Sequence, residues 1–74
     1  MKLCHLLDLI NFETVVWITT AETEDGVYLG EAVNASDNVP GNYLFGDVVE
    51  VFAKHFKGYK RDGIGIIVNP YTTE

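Results

Sequence analysis

The segment Thr14-Val15-Val16-Trp17-Ile18-Thr19-Thr20 leaves a chain of this length few ways to fold. Its four consecutive apolar side chains are all β-branched or aromatic, which favours extended backbone. Successive side chains of a strand alternate, so Val15 and Trp17 point to one face and Val16 and Ile18 to the other. A strand apolar on both faces belongs inside a sheet, and each face then needs a cover: a helix, a loop or a second subunit. The chain has 74 residues, which makes residues 1–74 a single domain near the lower limit for a core without disulfides or metal. Large side chains such as Phe12, Trp17, Phe45 and Phe52 therefore matter disproportionately, and dimerisation would add buried surface.

Around that strand the other elements follow from spacing. Leu3, Leu6, Leu7 and Ile10 recur at helical intervals, with Leu9 beside them and Cys4, His5 and Asp8 on the opposite arc, predicting a short helix over residues 3–10. Such a helix is unstable alone in water and must dock its leucines on the sheet. Asn11 is suited to end it in the left-handed conformation, with Phe12 packed at the corner that follows. Residues 21–26 read as a polar connection ending in Asp25-Gly26, a common turn signal, so Val27 to Val33 should pair antiparallel with the first strand. Gly30 leaves room there for a bulky neighbour such as Trp17.

Residues 34–38 read as loop, and Pro40 followed by Tyr43-Leu44-Phe45 predicts one or two helical turns ended by Gly46. The segment from Asp47 to Phe56 admits two readings. Asp47 with Glu50 resembles a capping box, and Val48, Val51, Phe52, His55 and Phe56 fit a helical stripe. Val-Val-Glu-Val-Phe is nonetheless β-rich, with Val49, Val51 and Ala53 on one face and Val48, Phe52 and Phe56 on the other. The strand reading is preferred because Ile64 to Val68 is a strand that needs a partner, which a hairpin through Gly58 to Gly63 supplies. Pro70 stops the last strand, and Tyr71 to Glu74 is expected to fray. The expected fold is α+β: N-terminal helix, β-hairpin, short helix, β-hairpin, a four-stranded antiparallel sheet with the helix on one face.

Net charge is −6 and unevenly distributed. Residues 1–50 carry nine acidic side chains against Lys2 alone, whereas residues 51–74 carry Lys54, Lys57, Lys60 and Arg61 against Asp62 and Glu74. An acidic body disfavours general nucleic-acid affinity, because phosphate contacts supply most of such binding. No apolar run approaches the ~20 residues of a membrane span. Leu3 to Ile10 is too short for a secretory signal and contains Asp8, and the one cysteine, Cys4, has no internal partner. The expected compartment is a reducing cytoplasm, with no membrane contact.

Candidate chemistry is sparse. Cys4, His5 and Asp8 are the only handle for a nucleophile or a metal. His55 is the only other histidine, and neither Cys-x-x-Cys nor His-x-x-x-His spacing occurs. Gly63-Ile64-Gly65 runs into Ile66-Ile67-Val68 and not into a phosphate-binding helix, so these glycines read as turn and packing residues. No catalytic residue, metal ligand or cofactor is assigned. The distinctive local composition is Lys54-His55-Phe56-Lys57-Gly58-Tyr59-Lys60-Arg61, cations interleaved with aromatics at a hairpin tip. Lys54, Phe56, Lys57, Tyr59, Lys60 and Arg61 are therefore the candidate interaction surface. They would meet an acidic patch such as Glu22, Glu24 and Asp25 on a partner or a second copy, or the backbone of a single-stranded nucleic acid. The acidic body also admits a DNA-imitating inhibitor.

The ordered pattern Leu6-Leu7-Asp8-Leu9-Ile10, Thr14-Val15-Val16-Trp17-Ile18, Tyr28-Leu29-Gly30-Glu31-Ala32, Val39-Pro40-Gly41-Asn42-Tyr43-Leu44 and Asp47-Val48-Val49-Glu50-Val51 resembles short uncharacterised acidic proteins encoded by prophages and integrative elements of Gram-positive gut bacteria. The resemblance implies a strand after the Tyr43-Leu44 turn and a bacterial cytoplasmic setting. It implies no activity, and the basic turn from Lys57 to Arg61 departs from its pattern. The functional expectation is a non-enzymatic protein-interaction module, with a homodimer covering the second sheet face. The alternatives are a weak nucleic-acid binder or an acidic inhibitor.

Overall fold

The computed structural model describes residues 1–11, 13–20 and 26–71. Its elements are α1 (Leu3–Leu9), β1 (Val15–Thr19), β2 (Tyr28–Glu31), α2 (Ala32–Asn38), α3 (Gly41–Leu44), β3 (Asp47–Phe56) and β4 (Arg61–Asn69). One four-stranded sheet has the order β2-β1-β4-β3, so β1 is interior, as its two apolar faces require. The second interior strand is β4, whose Ile64, Ile66, Ile67 and Val68 are the other dense aliphatic run. The segment 47–56 is a strand along its whole length.

Both expected antiparallel pairs form, β1 with β2 and β3 with β4, and the turn expected over residues 21–25 lies outside the described residues. The sheet as a whole is mixed, not antiparallel, because β1 and β4 pair in parallel through Val16↔Ile64 and Ile18↔Ile66. The cause lies in residues 32–38, read from sequence as strand end and loop. They form helix α2, which with α3 makes a crossover from β2 to β3 at the opposite edge. A helical crossover returns the next strand parallel to the one it left. Since β4 turns back from β3 and inserts beside β1, it must run parallel to β1. Helix α2 has the poor helix formers Asn34, Ser36, Asp37 and Asn38, and it forms because Ala32 and Ala35 are buried against the sheet with Val39 just beyond.

The core lies on one face, hereafter the covered face. There Val16, Ile18, Ile66 and Val68 meet Leu3, Ala32, Ala35 and Val39, with Leu6, Leu7, Ile10 and Leu44 packed around them. Helix α1 thus docks its leucine stripe as expected, although Leu9 faces outward. Its end differs from expectation. Ile10 leaves the helix in extended backbone, and Asn11 is not left-handed but accepts the Glu13 N–H on its Oδ1 at 2.8 Å. The Gly30 site is filled by the Tyr28 ring and not by Trp17, which lies against Gly26 (φ 76°). In β3 a bulge between Val48 and Glu50 shifts the alternation, so Val48 joins Val51 on the covered side while Phe52 and Phe56 point to the other. The last strand also begins earlier than expected, at Arg61, because the turn closes over residues 57–60 with Lys60 at φ 54°. Tyr71, expected to fray with the residues after it, is held by its N–H donated to Asn42 O at 2.7 Å and by the Lys2 ammonium 5.7 Å from its ring centroid. The corner at Phe12 and residues 72–74 lie outside the described residues.

Candidate interaction surface

Strand register places one row of side chains across the second, open face. Trp17 stands opposite Leu29 on one side and Gly65 on the other, and Gly65 stands opposite Phe52. With no side chain on Gly65, the Phe52 ring lies over its Cα and meets the Trp17 indole edge to face, centroids 6.4 Å apart at 82°. The row beside it holds Glu31, Val15, Gly63 and Lys54, and the Lys54 ammonium sits 5.0 Å from the Trp17 ring centroid. Such a cation on an indole face contributes about 0.5–1 kcal/mol at an exposed site. No described helix packs on this face. Leu29 is 51% exposed, and Trp17, Phe52 and Ile67 are half-buried.

Of the six residues singled out at the hairpin tip, three do not belong to a free cationic surface. Phe56 is buried, its ring lying against the Cα of Gly63, and Arg61 reaches Glu31 across the open face at 3.8 Å. Lys54 belongs to the indole contact. Lys57, Tyr59 and Lys60 are exposed in the turn itself. His55 and Asp62, on the opposite side, share a hydrogen bond at 2.7 Å. Glu22, Glu24 and Asp25 lie outside the described residues, so the acidic surface built on them has no geometry here. Reasoning from sequence missed Leu29, Trp17 and Phe52 as one row. Gly63 and Gly65 of β4 were the available signal, since a glycine in a sheet interior marks a place where a ring from the next strand can lie down.

The cluster at Cys4, His5 and Asp8 is divided. Cys4 and Asp8 line a cleft of about 300 Å³ between α1 and α2 with Leu7, Ile10, Ala32, Val33 and Ser36, while His5 is exposed and outside it. Among the described residues no three His, Cys, Asp or Glu side chains are placed to hold a metal ion, and no helix is long and apolar enough to cross a membrane. Comparison with protein-family models, with curated proteins and with solved structures finds no match.

Proposed function

We propose that this chain is a small non-enzymatic protein-interaction module whose contact surface is the open sheet face. The carrying observation is the row Leu29, Trp17, Phe52, uncovered by any described helix although Leu29 is half exposed. Desolvating rigid aromatics at low entropic cost is how compact contact surfaces gain affinity. The polar surround of Glu31, Arg61, Lys54 and Glu50 suits the rim of such a patch. The setting that fits the sequence resemblance is a bacterial cytoplasm during propagation of a phage or integrative element. A photo-crosslinking residue at Leu29, compared with one at Asp37 on α2, tests this in the native host. A discrete adduct formed only from position 29 supports the reading, whereas identical or absent adducts from both positions overturn it.

A second reading, single-stranded nucleic-acid contact, is favoured by the Lys54 ammonium over Trp17 beside the exposed Lys57, Tyr59 and Lys60. Stacking of bases on aromatic rings next to a cation is the usual basis of sequence-tolerant binding. Trp17 is the only tryptophan, so its fluorescence reports directly. Quenching by an oligothymidine at low salt, lost on adding salt, would support this reading, and unchanged emission would end it.

A further inference from the structure

We propose that a second copy of the chain joins antiparallel along the free edge of β3, with Phe52 on the two-fold axis. This rests on the protein-interaction reading and adds a contact at the sheet edge to the one at the open face.

The β3 strand is an outer strand of the sheet, and the N-terminal residues cover only its beginning. Lys2 bridges to Asp47, the Val48 N–H donates to Met1 O at 2.8 Å, and the Leu3 N–H donates to Gly46 O at 3.0 Å. From Val49 onward, no described residue pairs on that side. Val49 is 63% and Val51 46% exposed, and Glu50, Ala53 and Lys54 are exposed as well. A long uncovered edge with apolar side chains is a template for another strand. The opposite edge, β2, has only four residues and runs straight into α2.

Symmetry then selects the register. Two β3 strands pair antiparallel only about an axis normal to the sheet, which keeps the covered faces of both copies on the same side. From Glu50 to Phe56 the even-numbered residues lie on the open face, so even-numbered residues must oppose even-numbered residues. Centring on Glu50 or on Lys54 sets like charges opposite each other, which is destabilising. Centring on Val51 places Glu50 against Phe52, and centring on Ala53 places Lys54 against Phe52. Only centring on Phe52 sets Glu50 opposite Lys54 of the second copy and Lys54 opposite its Glu50, with Val51 opposite Ala53. The helices do not obstruct this, because the covered-face residues there, Val51, Ala53 and His55, carry no helix and are exposed. The paired stretch is Val49 to His55, and beyond it the turn of the second copy must displace Met1 and Lys2 from Val48 and Asp47. The contact is isologous, uses each β3 edge once, and continues one sheet through both copies.

The test is sedimentation equilibrium of the purified chain across the micromolar range, with circular dichroism to confirm folding. Wild type should be a dimer. Glu50→Lys and Lys54→Glu each place like charges opposite one another twice and should each weaken the dimer by about tenfold or more. Mixing these two variants restores opposite charges at both sites and should restore a heterodimer of near wild-type affinity. Glu50→Lys leaves the Lys54–Trp17 contact intact, so its effect does not depend on that contact. A wild-type monomer throughout the range overturns the proposal and leaves contact with a different protein standing. A dimer indifferent to Glu50→Lys and Lys54→Glu but broken by Leu29→Lys also overturns it, and assigns the interface to the open face. Failure of the mixture to associate overturns the register.

Discussion

The two faces of the sheet solve the same problem differently. On the covered face, Val16, Ile18, Ile66 and Val68 are at most 1% exposed, shielded by side chains from α1, α2 and the segment after it. On the open face no described helix is present, yet Val15 is fully buried and Phe56 is nearly so. The open face shields its backbone with its own rings laid over glycines: Phe52 over Gly65, Phe56 over Gly63 and Trp17 over Gly26. A short chain that lacks residues for a second helical layer can thus close part of a sheet with aromatic side chains. What it leaves is a thin, partly wet apolar surface, well suited to contact and poor in further stabilisation.

The contrast predicts unequal responses to mutation. Ile18→Ala on the covered face should cost about 2–5 kcal/mol, since the fully buried site has several elements around it and little room to collapse. In a domain of marginal stability that leaves much of the protein unfolded at room temperature. Leu29→Ala on the open face should stay within about 0.5 kcal/mol. Urea unfolding of the two variants measures the difference, and equal losses would mean that the open face is covered in solution.

A finer comparison sets two glycines of β4 against each other. A Cβ at Gly63 would collide with the Val15 carbonyl oxygen, which is backbone, whereas one at Gly65 would meet only the far end of the Phe52 ring. Gly63→Ala should therefore destabilise by about 1–3 kcal/mol, the usual range for overpacking. Gly65→Ala should cost less but swing Phe52 off Trp17. Denaturant midpoints order the two, and near-ultraviolet circular dichroism reads the loss of the Trp17–Phe52 contact in Gly65→Ala.

The smallest effect concerns Tyr28 on the covered face, whose hydroxyl donates to Glu31 O at 2.7 Å. Burial, reinforced by Tyr59 and Glu31, pushes its phenol above the ordinary 10.0. The neutral form is thus favoured in the folded state. The stability it contributes is complete below pH 10.0 and is lost as pH rises through the folded value. Thermal unfolding of wild type should fall more steeply above that pH than unfolding of Tyr28→Phe. Parallel pH profiles would remove the linkage.

Much of the secondary structure was legible because periodicity reports burial. The interior position of β1, the leucine stripe of α1 and the hairpin of β3 with β4 all follow from which side chains avoid water. The helix at residues 32–38 was not legible, because its residues prefer caps and turns and its stability comes from Ala32 and Ala35 meeting the sheet. That omission and the unforeseen parallel pair have one origin, since the crossover helix sets the direction of every later strand. The candidate site was read less well. Composition singled out a basic tip, but it was strand register that brought Lys54 to Trp17 and Phe52 to Gly65 and withdrew Phe56 into the interior.

By itself the chain determined roughly where strands lie and that β1 must be interior, because alternation of apolar side chains is a local property that hydration alone enforces. Only tertiary structure decided the parallel pairing, the side on which the helices gather and the row of side chains left exposed. These depend on contacts between residues far apart in sequence, whose free energies are gained together or not at all.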